Sequence, residues 1–154
     1  MIRGFLIPAW AACAAPGLIA PSLDRDVIAE QITGRDIPIQ LVKDDPTKMV
    51  QLADAILCAS GTATLMVGLM EKPMVIMYRM SSVTAWLAKK LVTHTKFFGL
   101  VNLIMDERVV PELFQEQANP QDMAKELSLY ISDKQYREQT IAKLHGAGFS
   151  TKPE

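Results

Sequence analysis

The residues best placed to do chemistry are Ser60, Gly61 and Thr62. They form a small-residue tripeptide between an apolar run of strand length, residues 55–58, and a helix-compatible run, residues 63–70. Backbone N–H groups at the start of such a helix receive an anion such as phosphate, and two hydroxyls add hydrogen bonds to phosphate oxygens or a ribose. A plain strand-to-helix turn capped by Ser60 or Thr62 has the same composition. After Glu71-Lys72-Pro73 comes a second apolar run, Met74–Tyr78. Two strands joined by a helical crossover make a βαβ unit, which implies a parallel sheet. Ligands in open α/β sheets sit beyond the carboxyl ends of the strands, where the tripeptide lies.

The elements that position it alternate along the chain. Residues 18–20 read as a strand end, and Ser22 as the N-cap of a helix with Val27, Ile28 and Ile32 as its apolar stripe and Gly34 as its stop. Residues 37–42 form the next strand, and Pro46 opens a short helix through Met49, Val50 and Leu52. Strands and helices at this spacing predict a doubly wound parallel α/β sheet. Beyond residue 80 the pattern predicts a helix over 82–94, an apolar stretch over 97–104, a turn at 106–108 and a short helix opening at 111–115. Two terminal helices follow, over Pro120–Ser132 with Asn119 as cap, and over 133–144. Residues 1–17 read as an atypical lead-in, 18–148 as one domain, and 149–154 as a disordered tail.

Composition narrows the function. The chain has 154 residues, 21% of them charged, with a net charge of −1, which argues against a nucleic-acid partner. Hydrophobic residues make up 49%, yet no uninterrupted apolar run reaches the roughly 18 residues of a spanning helix. Residues 5–15 resemble a signal-peptide core in outline, although Pro8 and Pro16 and a following strand end favour a strand and its lead-in. Cys13 and Cys58 do not make a disulfide scaffold, which points to a reducing cytoplasmic compartment. His94 and His145 have no metal-like spacing to carboxylates or cysteines, so no metal site is expected.

The runs ASGTATL, KPMVIMYRMS, TAWLAKKLV, LVNLI and VVPELFQEQANPQDMAKEL occur in this order. They resemble the lipid-A-disaccharide synthase family over roughly residues 18–145. The resemblance implies an inverting glycosyltransferase (a hexosyltransferase) of GT-B architecture, with this chain as its Rossmann-like, donor-nucleotide-binding C-terminal half. It also implies transfer of 2,3-diacylglucosamine from its UDP donor to 2,3-diacylglucosamine 1-phosphate in lipid A biosynthesis, with no metal or cofactor. Ser60, Gly61 and Thr62 match the loop used around the UDP, Asn102 a position near the donor site, and Gln115 with Glu116 a motif by the same cleft. A satisfied turn amide explains Asn102 as well, and a solvated helix end explains Gln115 and Glu116.

Two departures qualify the resemblance. Met66 stands where the family carries a glutamate that receives ribose hydroxyls, and a thioether is a weak acceptor. Losing such a bond costs on the order of 1.5–3 kcal/mol, so impaired UDP affinity is expected. The family's acceptor domain and its catalytic acid have no counterpart in this sequence. No catalytic residue is therefore expected here, and the chain alone is not expected to transfer sugar. A complementary N-terminal domain is the implied partner. A non-catalytic nucleotide- or protein-binding module derived from a GT-B enzyme is the alternative.

In the 82–94 helix, Val83, Trp86, Leu87 and Leu91 share a face, with Lys89, Lys90 and His94 towards its end. Basic residues beside an aromatic-apolar stripe suit an anionic membrane surface or an acyl chain. A core helix with solvated lysines is the competing reading. The acylated donor and acceptor implied by the resemblance fit a protein peripheral to the inner membrane.

Overall fold

The computed structural model describes residues 15–18, 24–33, 39–42, 45–59, 61–79 and 97–146. They fall into two compact units, Met1–Met49 and Val50–Glu154.

In the first unit, strand β1 (Ala15–Leu18) pairs in parallel with β2 (Ile39–Val42), Ala15 opposite Ile39. Helix α1 (Arg25–Ile32) lies between them in sequence. Its cap is Asp24, not the expected Ser22: the Asp24 carboxylate accepts from Asp26 N at 2.9 Å and satisfies a first-turn amide. Helix α2 (Pro46–Leu52), whose residues from Val50 on belong to the second unit, opens on a proline whose fixed φ suits the first helical position. Asp45 precedes it and accepts from Thr47 N at 2.9 Å; hydrogen bonds from Thr47 hold its carboxyl below the usual range.

The second unit contains β3 (Ile56–Ala59), α3 (Thr62–Leu69), β4 (Met74–Tyr78), α4 (Leu100–Met105), β5 (Glu112–Phe114), a 3-10 turn (Gln115–Gln117), α5 (Pro120–Ser132) and α6 (Lys134–Leu144). The strands form an open parallel sheet in the order β3-β4-β5. The βαβ unit read from residues 55–78 is present, with Ile56 opposite Met74.

Strand β4 is the centre of the core. Its side chains alternate between faces, and both faces are covered. Met74, Ile76 and Tyr78 join Val67 of α3, Val101 of α4 and Leu144 of α6 on one side. Val75 joins Leu113, Ala118 and Tyr130 on the other, with Met123 and Leu127 of α5 packed alongside. Helices on both faces of a parallel sheet make the Rossmann-like, doubly wound arrangement anticipated from the sequence. Tyr130 Oη donates to Met74 O at 3.2 Å, and Lys72 Nζ donates to Gln51 O at 2.6 Å and Ala53 O at 3.1 Å, closing the end of α2.

Two elements differ from the sequence reading. Residues 111–115 do not open a helix. Residues 112–114 form β5, with Ile76 opposite Glu112 and Tyr78 opposite Phe114, and Pro111 sits just before the strand, where its missing N–H costs no ladder bond. The apolar stretch 97–104 contains a helix, α4, ended by Asp106 in the left-handed conformation (φ 48°). Asn119 caps α5 as expected, accepting from Asp122 N at 2.9 Å.

Candidate functional site

Because β3, β4 and β5 are parallel and in register, their carboxyl ends share one edge. Ala59 lies opposite Met77 and Tyr78 opposite Phe114. The chain therefore leaves the sheet at Gly61-Thr62, at Arg79 and at Gln115 along the same rim. Neighbouring strands lie about 4.8 Å apart, so this rim spans on the order of 10 Å.

Gly61 is the N-cap of α3, with φ 128° and ψ −161°, a backbone region essentially restricted to glycine. Glycine brings no side chain to the cap. The expected alternative, a turn capped by Thr62, is absent: Thr62 is itself the first helical residue and is exposed. Thr64, which the sequence reading did not single out, locks the loop. Its side chain is fully buried, Oγ1 donates to Gly61 O at 2.7 Å, and its amide donates to the same oxygen at 3.1 Å. Helix α3 begins at this rim, where its dipole favours an anion. Arg79, exposed directly after β4, adds a cation to the same rim. Ser60 lies outside the described residues.

Met66 sits one turn into α3, half-buried against the apolar cluster of Val67, Met74 and Val101.

Asn102 is fully buried on α4. Its Oδ1 accepts from Val109 N at 2.9 Å and Val110 N at 3.0 Å, while Nδ2 donates to Val110 O at 2.8 Å and Glu112 Oε1 at 2.7 Å. That uses all four hydrogen-bonding positions of the amide. Among the described residues Asn102 therefore organises the 106–112 loop.

Gln115 leaves β5 at the rim, half-buried, with φ 52°. A non-glycine residue held in the left-handed region marks local strain, and such strain concentrates at ligand sites. Glu116 beside it is exposed. Behind the rim, Phe98 stacks on Phe114 with centroids 5.0 Å apart and rings 13° from coplanar, and Tyr78 completes the aromatic group at 6.0 Å from Phe98.

Val83, Trp86, Leu87, Lys89 and Lys90, expected from the sequence to meet a membrane surface or an acyl chain, lie outside the described residues, as does His94. His145 is paired with Glu71, its Nδ1 2.8 Å from Oε1. Among the described residues no three His, Cys, Asp or Glu side chains group as metal ligands, and no helix is long and apolar enough to cross a membrane. Cys58 is buried in β3, and desolvation pushes its thiol above the ordinary value.

A groove of about 390 Å³ lies elsewhere, lined by Arg108, Pro111, Glu126, Tyr136, Gln139 and Lys143 among others. Residues 108–111 lead into the amino end of β5, so this groove lies at the opposite edge of the sheet from the rim.

Comparison with known proteins bears on the family of the chain. Residues 21–150 match the family model described as lipid-A-disaccharide synthetase. The chain is 38% identical over 117 residues to a lipid-A-disaccharide synthase of Myxococcus xanthus, covering 73% of this chain and 30% of that protein. It is 40% identical over 110 residues to the enzyme of the same name from Saccharophagus degradans, covering 71% and 28%. With the one from Geobacter sulfurreducens it shares 36% over 126 residues, covering 82% and 33%. The chain thus spans about 30% of the length of the curated relatives it matches.

Proposed function

The chain belongs to the lipid-A-disaccharide synthetase family, and on that premise we propose that its carboxyl-edge rim is the donor-nucleotide site of an inverting hexosyltransferase. The donor is UDP-2,3-diacylglucosamine and the acceptor 2,3-diacylglucosamine 1-phosphate, both acylated. The sugar moves between them in lipid A biosynthesis, at the cytoplasmic face of the inner membrane.

One observation carries this reading: Gly61, in a glycine-only conformation, opens α3 without a side-chain cap at the carboxyl end of a parallel βαβ unit. That geometry supports diphosphate binding to the first-turn amides of α3, with Ser60 and Thr62 as hydroxyl donors and Arg79 as the cation. Gln115 faces the same ligand from β5. Asn102 acts from behind, by holding the loop that leads into β5.

Met66 weakens this site. It supplies neither charge nor a strong acceptor where a ribose would lie. We assign the base and the acceptor site to the greater part of the relatives' length that this chain does not span, and propose that the isolated chain binds UDP without transferring sugar.

Calorimetric titration of UDP tests the proposal. The wild type should bind weakly, Met66→Glu should bind about tenfold more tightly, the effect of restoring one charged hydrogen bond, and Gly61→Val should not bind. Absence of binding in all three would favour the alternative, a module that kept the fold and lost the nucleotide.

A further inference from the structure

Glu112 opens β5 half-buried, and a carboxylate taken from water must find donors. It finds three N–H groups. Oε2 accepts from Phe98 N at 2.9 Å, and Oε1 accepts from Gly99 N at 3.0 Å and from Asn102 Nδ2 at 2.7 Å. Gly99, the N-cap of α4, has no side chain to satisfy that turn. Glu112 therefore caps α4 from another element.

The same carboxylate closes a mechanical loop. Glu112 and Phe114 are two residues apart on a strand and so project to the same face. Glu112 holds the Phe98 backbone, the Phe98 ring stacks on Phe114, and Phe114 returns through β5 to Glu112. Gln115 is the next residue. Its left-handed φ of 52° persists only where the surroundings impose it, and the Phe98–Phe114 stack is the rigid body immediately before it.

We propose that Glu112 is a positioning residue for the donor site, fixing the Gln115 carboxamide at the rim through the Phe98–Phe114 stack. The proposal rests on the donor-site reading above. Glu112 itself does not touch the nucleotide.

A double-mutant cycle on the full chain tests it, with UDP affinity measured by calorimetry for the wild type, Glu112→Gln, Gln115→Ala and the double variant. Glutamine replaces one carboxylate oxygen with an NH2 group, which must face at least one of the three donors. Each single change should weaken UDP about five- to tenfold, and the double variant should be no weaker than the weaker single one, because both remove the same contact. Losses that multiply in the double variant, or a Glu112→Gln protein of unchanged affinity, would overturn the proposal.

A second readout needs no ligand. NMR resonances of the Gln115 amide and carboxamide should move in Glu112→Gln, while those of Thr140 and Leu144 stay. If UDP binds neither wild type nor Met66→Glu, the donor reading falls, and unmoved Gln115 resonances would then reject the positioning role as well. Should Glu112→Gln fail to fold, Phe98→Leu keeps the three hydrogen bonds and removes only the stack. It should shift the same Gln115 resonances, and their staying in place would count against the proposal.

Discussion

Gly68 of α3 lies so close to Val101 of α4 that a Cβ built on it would meet Val101 Cγ2 at 2.7 Å. Both residues are buried, and Val101 belongs to the apolar cluster against β4. This contact lets α3 seat against α4 and so fixes the direction in which the α3 N-terminus faces the rim.

Substituting Gly68→Ala should therefore destabilise the protein despite alanine's better helix propensity. Overpacking costs about 1–3 kcal/mol and the propensity gain returns about 1 kcal/mol. Pairing it with Val101→Ala should recover part of the loss. Urea melts of the two single variants and the double one give the coupling; additive losses would mean the helices do not meet at this point.

Asn102→Ala should cost about 1–3 kcal/mol, because it strands the buried Val110 amide, leaves the Val109 amide only Glu107 O, and leaves Glu112 Oε1 only the Gly99 amide. Asn102→Asp keeps the shape but sets a carboxylate against Glu112 Oε1 in place of a donor. Its stability should fall further as pH rises through the carboxylate range, readable as a denaturation midpoint followed against pH.

Gly61→Ala isolates backbone strain, since nothing lies within 4 Å of an added Cβ there. The cost should be about 1–3 kcal/mol, from the φ of 128° alone. A thermal melt equal to that of the wild type would show that the loop relaxes without glycine.

Stability should decline in alkali. Burial raises the Cys58 thiol, and burial followed by the neighbouring Tyr136 raises the Tyr130 phenol. Both groups stay neutral in the fold at pH values where the unfolded chain ionises. Their contribution is complete below the unfolded values, about 8.5 and 10, and is lost as pH rises above them. Urea midpoints at about pH 8 and pH 10.5 should differ in that sense. Tyr130→Phe should flatten the upper part of the fall, and Cys58→Ala the lower.

Local signals in the sequence were enough to locate the supporting frame. The strand at 74–78 and the helix at 120–132 match the structure to the residue, because a five-residue apolar run and an Asn-Pro helix start are local signals. Failures came where the partner is distant in sequence. Helix α4 has no cap within its own stretch; its cap is Glu112, thirteen residues beyond Gly99. Strand β5 has three residues, too few for a period-two pattern, and Pro111 reads equally well as a helix start. Thr64 was hidden by its ordinary place in a helical run. Its bond to Gly61 O becomes meaningful only once the loop conformation is known.

Mapping UDP onto the backbone amides by NMR tests the central claim most directly, because the rim and the groove lie at opposite edges of one sheet. Titrating Met66→Glu should move the amides of Gly61, Thr62, Ala63 and Gln115, and leave those of Arg108, Val109, Gln139 and Lys143 in place. Shifts confined to the latter group, or none at saturating nucleotide, would contradict a donor site at the carboxyl edge.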